Sequence, residues 1–126
     1  MRFIEELKKL NLPQDKFAVF GSGPLAIRKI RESEDVDIIV KPELWEKLIK
    51  KYPLEKENLI KIGKIEVYKD WLNLSDRIDE MIDNAEIIEG FPYVRLKYLL
   101  DWKRWMGREK DIKDIKLIED YLKNEK

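Results

Sequence analysis

The stretch FAVFGSGP at residues 17–24, followed by LAIRKIRESE and then by DVDIIV at residues 35–40, determines the fold of this chain. Four apolar residues that run directly into Gly-Ser-Gly are typical of a buried strand that ends at a tight turn. Pro24 stands where a helix accepts proline, because the first helical residue needs no amide hydrogen. DVDIIV predicts a second strand, in which Asp35 and Asp37 leave the same face of the sheet. The pattern therefore predicts a strand, a glycine turn, a short helix and a strand that carries two carboxylates.

Two familiar phosphate-binding motifs begin with a glycine turn after a strand, and neither fits here. Gly21-x-Gly23-x-x-Ala26 has the form of the dinucleotide-binding fingerprint, but that fingerprint places its acidic residue about 20 residues on, at the far end of the second strand. Here the acids open the strand, whose end is Val40-Lys41, and the helix is too short for a dinucleotide-binding unit. No Gly-Lys-Ser/Thr follows the turn, so the sequence has no Walker-type loop there.

What remains is a Gly-Ser turn, 12 residues, and then Asp-x-Asp between apolar flanks. This arrangement resembles the signature of the DNA polymerase beta-like nucleotidyltransferase superfamily, particularly its small stand-alone members. The resemblance implies that Asp35 and Asp37 bind metal ions. It also implies that the turn residues Gly21, Ser22 and Gly23 bind the phosphates of a nucleotide. The alternative interpretation is a surface strand that begins with acidic residues after a purely structural turn.

The composition limits the classes of protein and of site. Of 126 residues, 44% are hydrophobic and 41% are charged, which predicts one domain with one core and a surface rich in ion pairs, as in proteins from thermophiles. The absence of cysteine and histidine excludes disulfides and thiolate sites, and it favours oxygen ligands for magnesium or manganese. Basic and acidic residues number 26 each, so no global charge attracts nucleic acid. With no signal peptide or membrane span in the sequence, we expect a cytoplasmic protein.

A third acidic residue lies in the second strand of a predicted hairpin. Ile65 and Val67 share one face of that strand, so Glu66 points the opposite way. A carboxylate inside an apolar strand is unfavourable unless something binds it. In the nucleotidyltransferase superfamily a third carboxylate comes from a strand next to the Asp-x-Asp strand. We therefore expect Glu66 to complete the metal site, with Glu57 and Asp70 as weaker candidates. A solvated sheet face is the alternative for Glu66.

The helix predicted over residues 95–106 is apolar over more than half of its circumference. Lys103 falls within that apolar arc, where a lysine either extends its charge to solvent or binds an anion. The run LLDWK at residues 99–103, followed by GREKDIKDI at residues 107–115, resembles the C-terminal segment of small nucleotidyltransferases, some of which are toxin components of bacterial abortive-infection systems. This resemblance implicates Lys103 and Arg108 in phosphate binding. A surface ion pair is the alternative for Arg108.

Tyr98, Trp102 and Trp105 recur at a spacing that places them on one side of the same helix. Aromatic residues of this kind are enriched at the centres of protein interfaces. We therefore predict that this aromatic stripe docks onto a second copy of the chain, as in a homodimer, or onto a partner protein. The alternative is that the N-terminal helix, through Phe3 and Leu7, covers the stripe within one chain.

Together these observations predict an α/β (α+β), nucleotidyltransferase-like fold: a small mixed β-sheet with helices packed mainly on one face. One domain spans residues 1–126, with a core at about 14–70 and a helical part at about 75–126. The predicted activity moves a nucleoside monophosphate from a nucleoside triphosphate such as ATP to a hydroxyl of a small molecule, a protein or an RNA end, and releases pyrophosphate. Asp35, Asp37 and Glu66 would hold two Mg²⁺ or Mn²⁺ ions. The alternative is a catalytically inactive protein of the same fold that binds a nucleotide or a partner.

Overall fold

The computed structural model describes residues 2–33 and 35–124, apart from the side chains of Arg2 and Phe3. These ranges contain six α-helices, seven strands and one 3-10 helix. In chain order they are α1 (Arg2–Leu10), β1 (Phe17–Phe20), α2 (Gly23–Ile27), β2 (Val36–Val40), α3 (Pro42–Lys51), β3 (Leu54–Lys56), β4 (Leu59–Ile62), β5 (Ile65–Tyr68), the 3-10 helix (Leu72–Arg77), α4 (Ile78–Asp83), β6 (Glu86–Ile88), β7 (Phe91–Tyr93), α5 (Leu96–Met106) and α6 (Glu109–Asn124). No helix within these ranges is long and apolar enough to cross a lipid bilayer.

The seven strands form one mixed sheet in the order β3-β4-β5-β2-β1-β7-β6. β1 and β2 are antiparallel, with Phe20 opposite Asp37. β2 pairs in parallel with β5, where Asp37 lies beside Glu66, and β1 pairs in parallel with β7. The mixed α/β architecture and the β4–β5 hairpin are as predicted. The edge strand β3 has no counterpart in the prediction, because its sequence LEK lacks an apolar alternation.

Helices cover both faces of this sheet, so the prediction of helices mainly on one face is wrong. α1 and α3 pack on the face that Val19 and Ile38 form, whereas α4, α5 and α6 pack on the face that Phe20 forms. All four residues of β1 are buried, and a strand without polar residues is typical of a sheet covered on both sides. Asp37 and Glu66 alternate with residues of the first face. They therefore project towards the second, which we call the α4–α6 face.

Two members of the predicted aromatic stripe lie inside the chain's own core. Tyr98 is fully buried and Trp102 is 8% exposed, whereas Trp105 is 59% exposed. The expectation of one exposed stripe is therefore wrong for Tyr98 and Trp102, because α5 is needed as a cover for the α4–α6 face. Leu7 packs on the opposite face, so it does not cover the stripe, and Phe3 lies outside the described side chains. Docking of a partner onto Trp105 stays a prediction.

Candidate functional site

Asp37 and Glu66 form a carboxylate pair in the middle of the sheet. They lie side by side in the parallel pairing of β2 with β5, and the pleat directs both side chains to the α4–α6 face. The two carboxyls are close enough for Glu66 to raise the pKa of Asp37. Tyr68, two residues further along β5, donates its hydroxyl hydrogen to Glu66 Oε1 at 2.8 Å. The two carboxyl groups are therefore neighbours on one face, with Glu66 oriented by Tyr68.

This environment raises the pKa of Asp37 from its ordinary value of 3.8 to about 7. Burial is the largest cause, followed by the negative charges of Glu66 and Asp35 and by the hydrogen bond with Glu66. Asp35 precedes β2 and is exposed. Within residues 2–33 and 35–124, no three acidic side chains come close enough together to hold a metal ion. The structure therefore brings Asp37 and Glu66 together, while Asp35 acts on them through its charge.

Gly21 places the turn after β1 directly against Asp37. Its φ of +64° lies in the left-handed region that favours glycine, and a Cβ atom at this position would overlap Asp37 Oδ2. Gly23 meets a different neighbour, since a Cβ atom there would overlap Val19 Cγ1. Gly23 thus allows α2 to pack closely on β1, whereas Gly21 allows the turn to approach the carboxylate pair.

Ser22 connects this turn to the start of β2. Ser22 Oγ lies 2.6 Å from Ser33 Oγ, and Ser33 Oγ donates to the backbone carbonyl of Asp35 at 2.7 Å. Because a hydroxyl has one hydrogen to donate, Ser22 is the donor in its contact with Ser33. A phosphate contact from the Ser22 hydroxyl, as predicted, would therefore require the exchange of this hydrogen bond.

A cavity of about 620 Å³ lies beside the carboxylate pair. Its volume is within the range of roughly 300–1,000 Å³ that is usual for small-molecule sites. The predicted site residues that line it are Gly21, Ser22, Asp37, Lys103 and Arg108. Those outside its lining are Gly23, Asp35 and Glu66. The structure thus brings the glycine turn, one carboxylate and both predicted cations to one concave surface.

Lys103 is buried in the wall of this cavity, with its side chain 4% exposed. It therefore does not extend its charge to bulk solvent. Its Nζ lies 2.9 Å from Asp114 Oδ2 and 3.6 Å from Asp111 Oδ1. Arg31 Nε contacts the other oxygen of Asp114 at 3.1 Å. Burial of an ammonium group requires such partners, and here two carboxylates of α6 provide them.

Arg108 belongs to the same network of charges. Its Nε and Nη2 donate to the carboxylate of Asp111 at 2.5 Å and 3.0 Å, and its backbone N–H donates to Asp111 Oδ2 at 3.1 Å. These hydrogen bonds hold the pKa of Asp111 below its usual value. We call Arg31, Lys103, Arg108, Asp111 and Asp114 the ion-pair network. Its three cations face two carboxylates, which leaves one positive charge in excess beside the cavity.

Tyr68, Trp71 and Trp102 form an aromatic wall of the cavity. Trp71 stacks on Phe20 with a centroid distance of 4.5 Å, and it meets the edges of Trp102 and Tyr68 at 5.1 Å and 5.0 Å. The indole nitrogens of Trp71 and Trp102 are buried, and neither has a hydrogen-bond partner among the described residues. A buried donor without a partner costs about 1–3 kcal/mol. These two unpartnered nitrogens lie behind the aromatic surface that faces the cavity, and their cost is borne by the packing of the core.

Several residues of this site were missed by sequence reasoning. Asp111 and Asp114 did carry a signal, because they share helical spacing with Ile118 and so lie on the buried side of α6, where a carboxylate needs a partner. Arg31 and Trp71 showed no such sequence signal, because both lie in connecting segments without periodicity. The ion-pair network could thus have been predicted in part, from α6 alone.

Comparisons with known proteins do not identify a family for this chain. No protein-family model, curated protein or solved structure matches this chain. The geometry and charges of the described residues are therefore the basis of the functional argument.

Proposed function

We propose that this protein is a metal-dependent nucleotidyltransferase with a DNA polymerase beta-like arrangement of its site. It would transfer a nucleoside monophosphate from a nucleoside triphosphate to an acceptor hydroxyl and release pyrophosphate in the cytoplasm. One observation carries the proposal: Asp37, beside Glu66 in the β2–β5 pairing, lies against the Gly21 turn in a cavity that Lys103 and Arg108 also line. A cation-binding group and an anion-binding group thus share one space of nucleotide size.

The carboxylate pair has the chemistry of a magnesium or manganese site. Asp37 and Glu66 offer oxygen ligands only, and their crowding raises the pKa of Asp37, so a bound dication would relieve a repulsion that the folded protein contains. Magnesium is usually held by one or two carboxylates together with substrate phosphates rather than by a complete protein cage. The pair fits this pattern, and Asp35 adds negative charge beside it. The bound ion would offset charge on the phosphate oxygens.

The ion-pair network would bind the triphosphate. Arg31, Lys103 and Arg108 carry one more charge than Asp111 and Asp114 offset. Charge-assisted hydrogen bonds from such cations to phosphate oxygens are among the stronger ones in proteins. Because Lys103 is buried, its position is fixed before a ligand arrives. The network is therefore an anion site that is already formed.

The carboxylate pair would also accept the proton that the reaction releases. As the acceptor oxygen attacks the α-phosphorus, the bond to the pyrophosphate oxygen breaks and the hydroxyl proton must leave. A dication on Asp37 would lower the pKa of that carboxyl, so Glu66, beside it in the β2–β5 pairing, would accept the proton or orient the acceptor hydroxyl through the metal ion. The hydrogen bond from Tyr68 to Glu66 keeps the pair in one orientation.

Incubation with each α-labelled nucleoside triphosphate tests the proposal directly. The protein is mixed with Mg²⁺ or Mn²⁺ and with small-molecule, protein and RNA acceptors in turn, and the products are identified by mass spectrometry. We expect a nucleoside monophosphate adduct and pyrophosphate with the parent protein. Asp37→Asn should abolish both, whereas Asp76→Asn, on an exposed residue outside the cavity lining, should leave both unchanged.

Two results would count against transfer. Triphosphate binding without any product would favour the alternative of an inactive binding protein. Product formation by Asp37→Asn at the parent rate would remove Asp37 from the mechanism. A variant that no longer folds is recognised by circular dichroism, and Glu66→Gln then serves as the second test of the pair.

A further inference from the structure

Lys103 is surrounded by partners from its own chain, although it lies in the wall of the cavity. An ammonium group offers three N–H donors. Lys103 Nζ lies 2.9 Å from Asp114 Oδ2, 3.6 Å from Asp111 Oδ1 and 4.5 Å from the centroid of the Trp102 ring. Its side chain is 4% exposed. A phosphate would therefore reach the ammonium group only by displacing one of these three partners.

Arg31 and Arg108 are held differently, because each keeps part of its guanidinium group free. Arg31 contacts Asp114 Oδ1 through Nε at 3.1 Å, and its two Nη nitrogens have no partner among the described residues. Arg108 uses Nε and Nη2 for Asp111, which leaves Nη1. Both side chains line the cavity, and they are 41% and 39% exposed. Of the cations in the ion-pair network, the two arginines therefore carry the donors that a ligand in the cavity can meet.

The two arginines reach the cavity from separate parts of the chain. Arg31 lies between α2 and β2, whereas Arg108 lies between α5 and α6. Asp114 and Asp111 hold the two guanidinium groups, and Lys103 is the cation that both carboxylates share. A guanidinium group whose position is already set loses less rotamer freedom when it binds an anion. The network therefore holds two arginines ready for an anionic ligand.

We propose that Arg31 and Arg108 contact the phosphates directly and that Lys103 is a positioning residue, an inference that rests on the proposed nucleotidyltransferase function and deepens it. The ligand class is a linear polyphosphate, such as the triphosphate chain of a nucleotide, because its several anionic oxygens suit two separate planar sets of donors. Lys103 acts on this ligand through Asp111 and Asp114. Without the lysine, the two carboxylates would offset both arginine charges completely.

Binding of inorganic tripolyphosphate tests the assignment without a metal ion, a nucleoside or turnover. The affinity is measured by isothermal titration calorimetry in EDTA at fixed ionic strength. Arg31→Gln should weaken binding at least about tenfold, because hydrogen bonds between charged groups are lost, and a loss is also expected for Arg108→Gln. Arg104→Gln breaks an exposed ion pair with Glu119 outside the cavity lining. This control should bind tripolyphosphate as tightly as the parent.

A double variant separates positioning by Lys103 from direct contact with phosphate. Lys103→Met alone should weaken tripolyphosphate binding, because Asp111 and Asp114 then offset both arginine charges. The addition of Asp114→Asn restores the excess positive charge, and the amide oxygen of the new side chain can still accept a hydrogen bond from Arg31 Nε. We expect the affinity of this double variant to return close to that of the parent. A lysine that bound phosphate itself would not be replaceable in this way.

The failure of this assignment is distinguishable from the failure of the proposed function. A parent that does not bind tripolyphosphate overturns the assignment, as does parent-like affinity in Arg31→Gln, Arg108→Gln or Lys103→Met. A double variant that binds as weakly as Arg31→Gln overturns the positioning role of Lys103. Nucleotidyl transfer by the parent would leave the function intact in each of these cases.

The opposite combination is also informative. Tripolyphosphate binding with the expected variant effects, but without any product from nucleoside triphosphates, supports the arginine site and rejects the transferase. Circular dichroism identifies a variant that does not fold. Lys103→Met combined with Asp111→Asn then takes the place of the first double variant, with the same expected recovery of affinity.

Discussion

Asp37 should make the stability of this protein fall as the pH rises from about 4 to about 7. In the folded protein Asp37 keeps its proton up to about pH 7, whereas an unperturbed aspartate releases it near pH 3.8. Between these values the unfolded state binds fewer protons than the folded state, so the free energy of unfolding decreases as the pH increases. Below pH 3.8 both states are protonated, and the contribution vanishes.

The size of the effect follows from the shift. The pKa of Asp37 rises from 3.8 to about 7, and each unit corresponds to ~1.4 kcal/mol. The carboxyl is partly exposed, so we expect a loss of about 2–4 kcal/mol between pH 4 and pH 8 after allowance for solvent screening. In Asp37→Asn the side chain stays neutral, and this loss should disappear.

Urea unfolding at pH 4, 5, 6, 7 and 8 measures the difference between the parent and Asp37→Asn. Other titrating groups cancel in this difference, which should grow in favour of the variant by about 2–4 kcal/mol across the series. For the control Asp76→Asn, on an exposed residue, the free energy of unfolding should differ from that of the parent by the same amount at every pH. A parent-to-variant difference that stays constant from pH 4 to pH 8 would refute the burial and crowding of Asp37.

Three further predictions concern the turn, the ion-pair network and the exposed tryptophan. Gly21→Ala should weaken triphosphate binding, and in urea unfolding it should destabilise the fold by more than the control Gly90→Ala. Both variants replace a glycine with positive φ, but only at position 21 would the new Cβ overlap a neighbour, Asp37. Equal losses of stability in the two variants would contradict the close approach of the turn to Asp37. Lys103→Met should destabilise by about 3 kcal/mol, since it leaves buried carboxylates without their central cation. The control Arg104→Met breaks an exposed pair and should cost at most about 1 kcal/mol; a tolerated Lys103→Met would show that the lysine is not paired in solution. If Trp105 docks onto a second copy, sedimentation should detect a dimer of the parent protein that Trp105→Glu converts to monomer, and a monomeric parent at all concentrations would exclude self-association.

The fold was predictable where local patterns were strong. The continuous apolar run of β1 and the alternation in DVDIIV predicted the two central strands, and the helical periodicity at residues 95–106 predicted α5 with bounds that differ by one residue. The same run in β1 also contained the information that both faces are covered. The prediction that helices pack mainly on one face of the sheet did not use this information. It was based on the periodicity of each helix and not on the burial that the strands require.

Sequence reasoning could identify several residues of the site, but it could not predict which residues form ion pairs there. Glu66 was expected beside the Asp-x-Asp strand, and the parallel register of β2 and β5 places it beside Asp37. Lys103 was recognised as unusual, yet the carboxylates that neutralise it follow it by 8 and 11 residues on another helix. Pairing across two helices depends on how they pack, and neither propensity nor spacing within one helix determines that packing.

The cavity is built from two separate parts of the chain. Except for Arg31, the cationic side comes from residues 102–114, whereas the glycine turn, Asp37 and Asp70 come from the first 75 residues. Substitutions in the later segment leave every hydrogen-bonded strand register untouched, because the strands end at Tyr93. A combinatorial library at the charged positions of residues 103–114, with Trp102 kept because it packs on Phe20 of β1, would therefore vary the anion-binding side, and selection from it should yield altered ligand preferences without a search for compensating changes in the sheet.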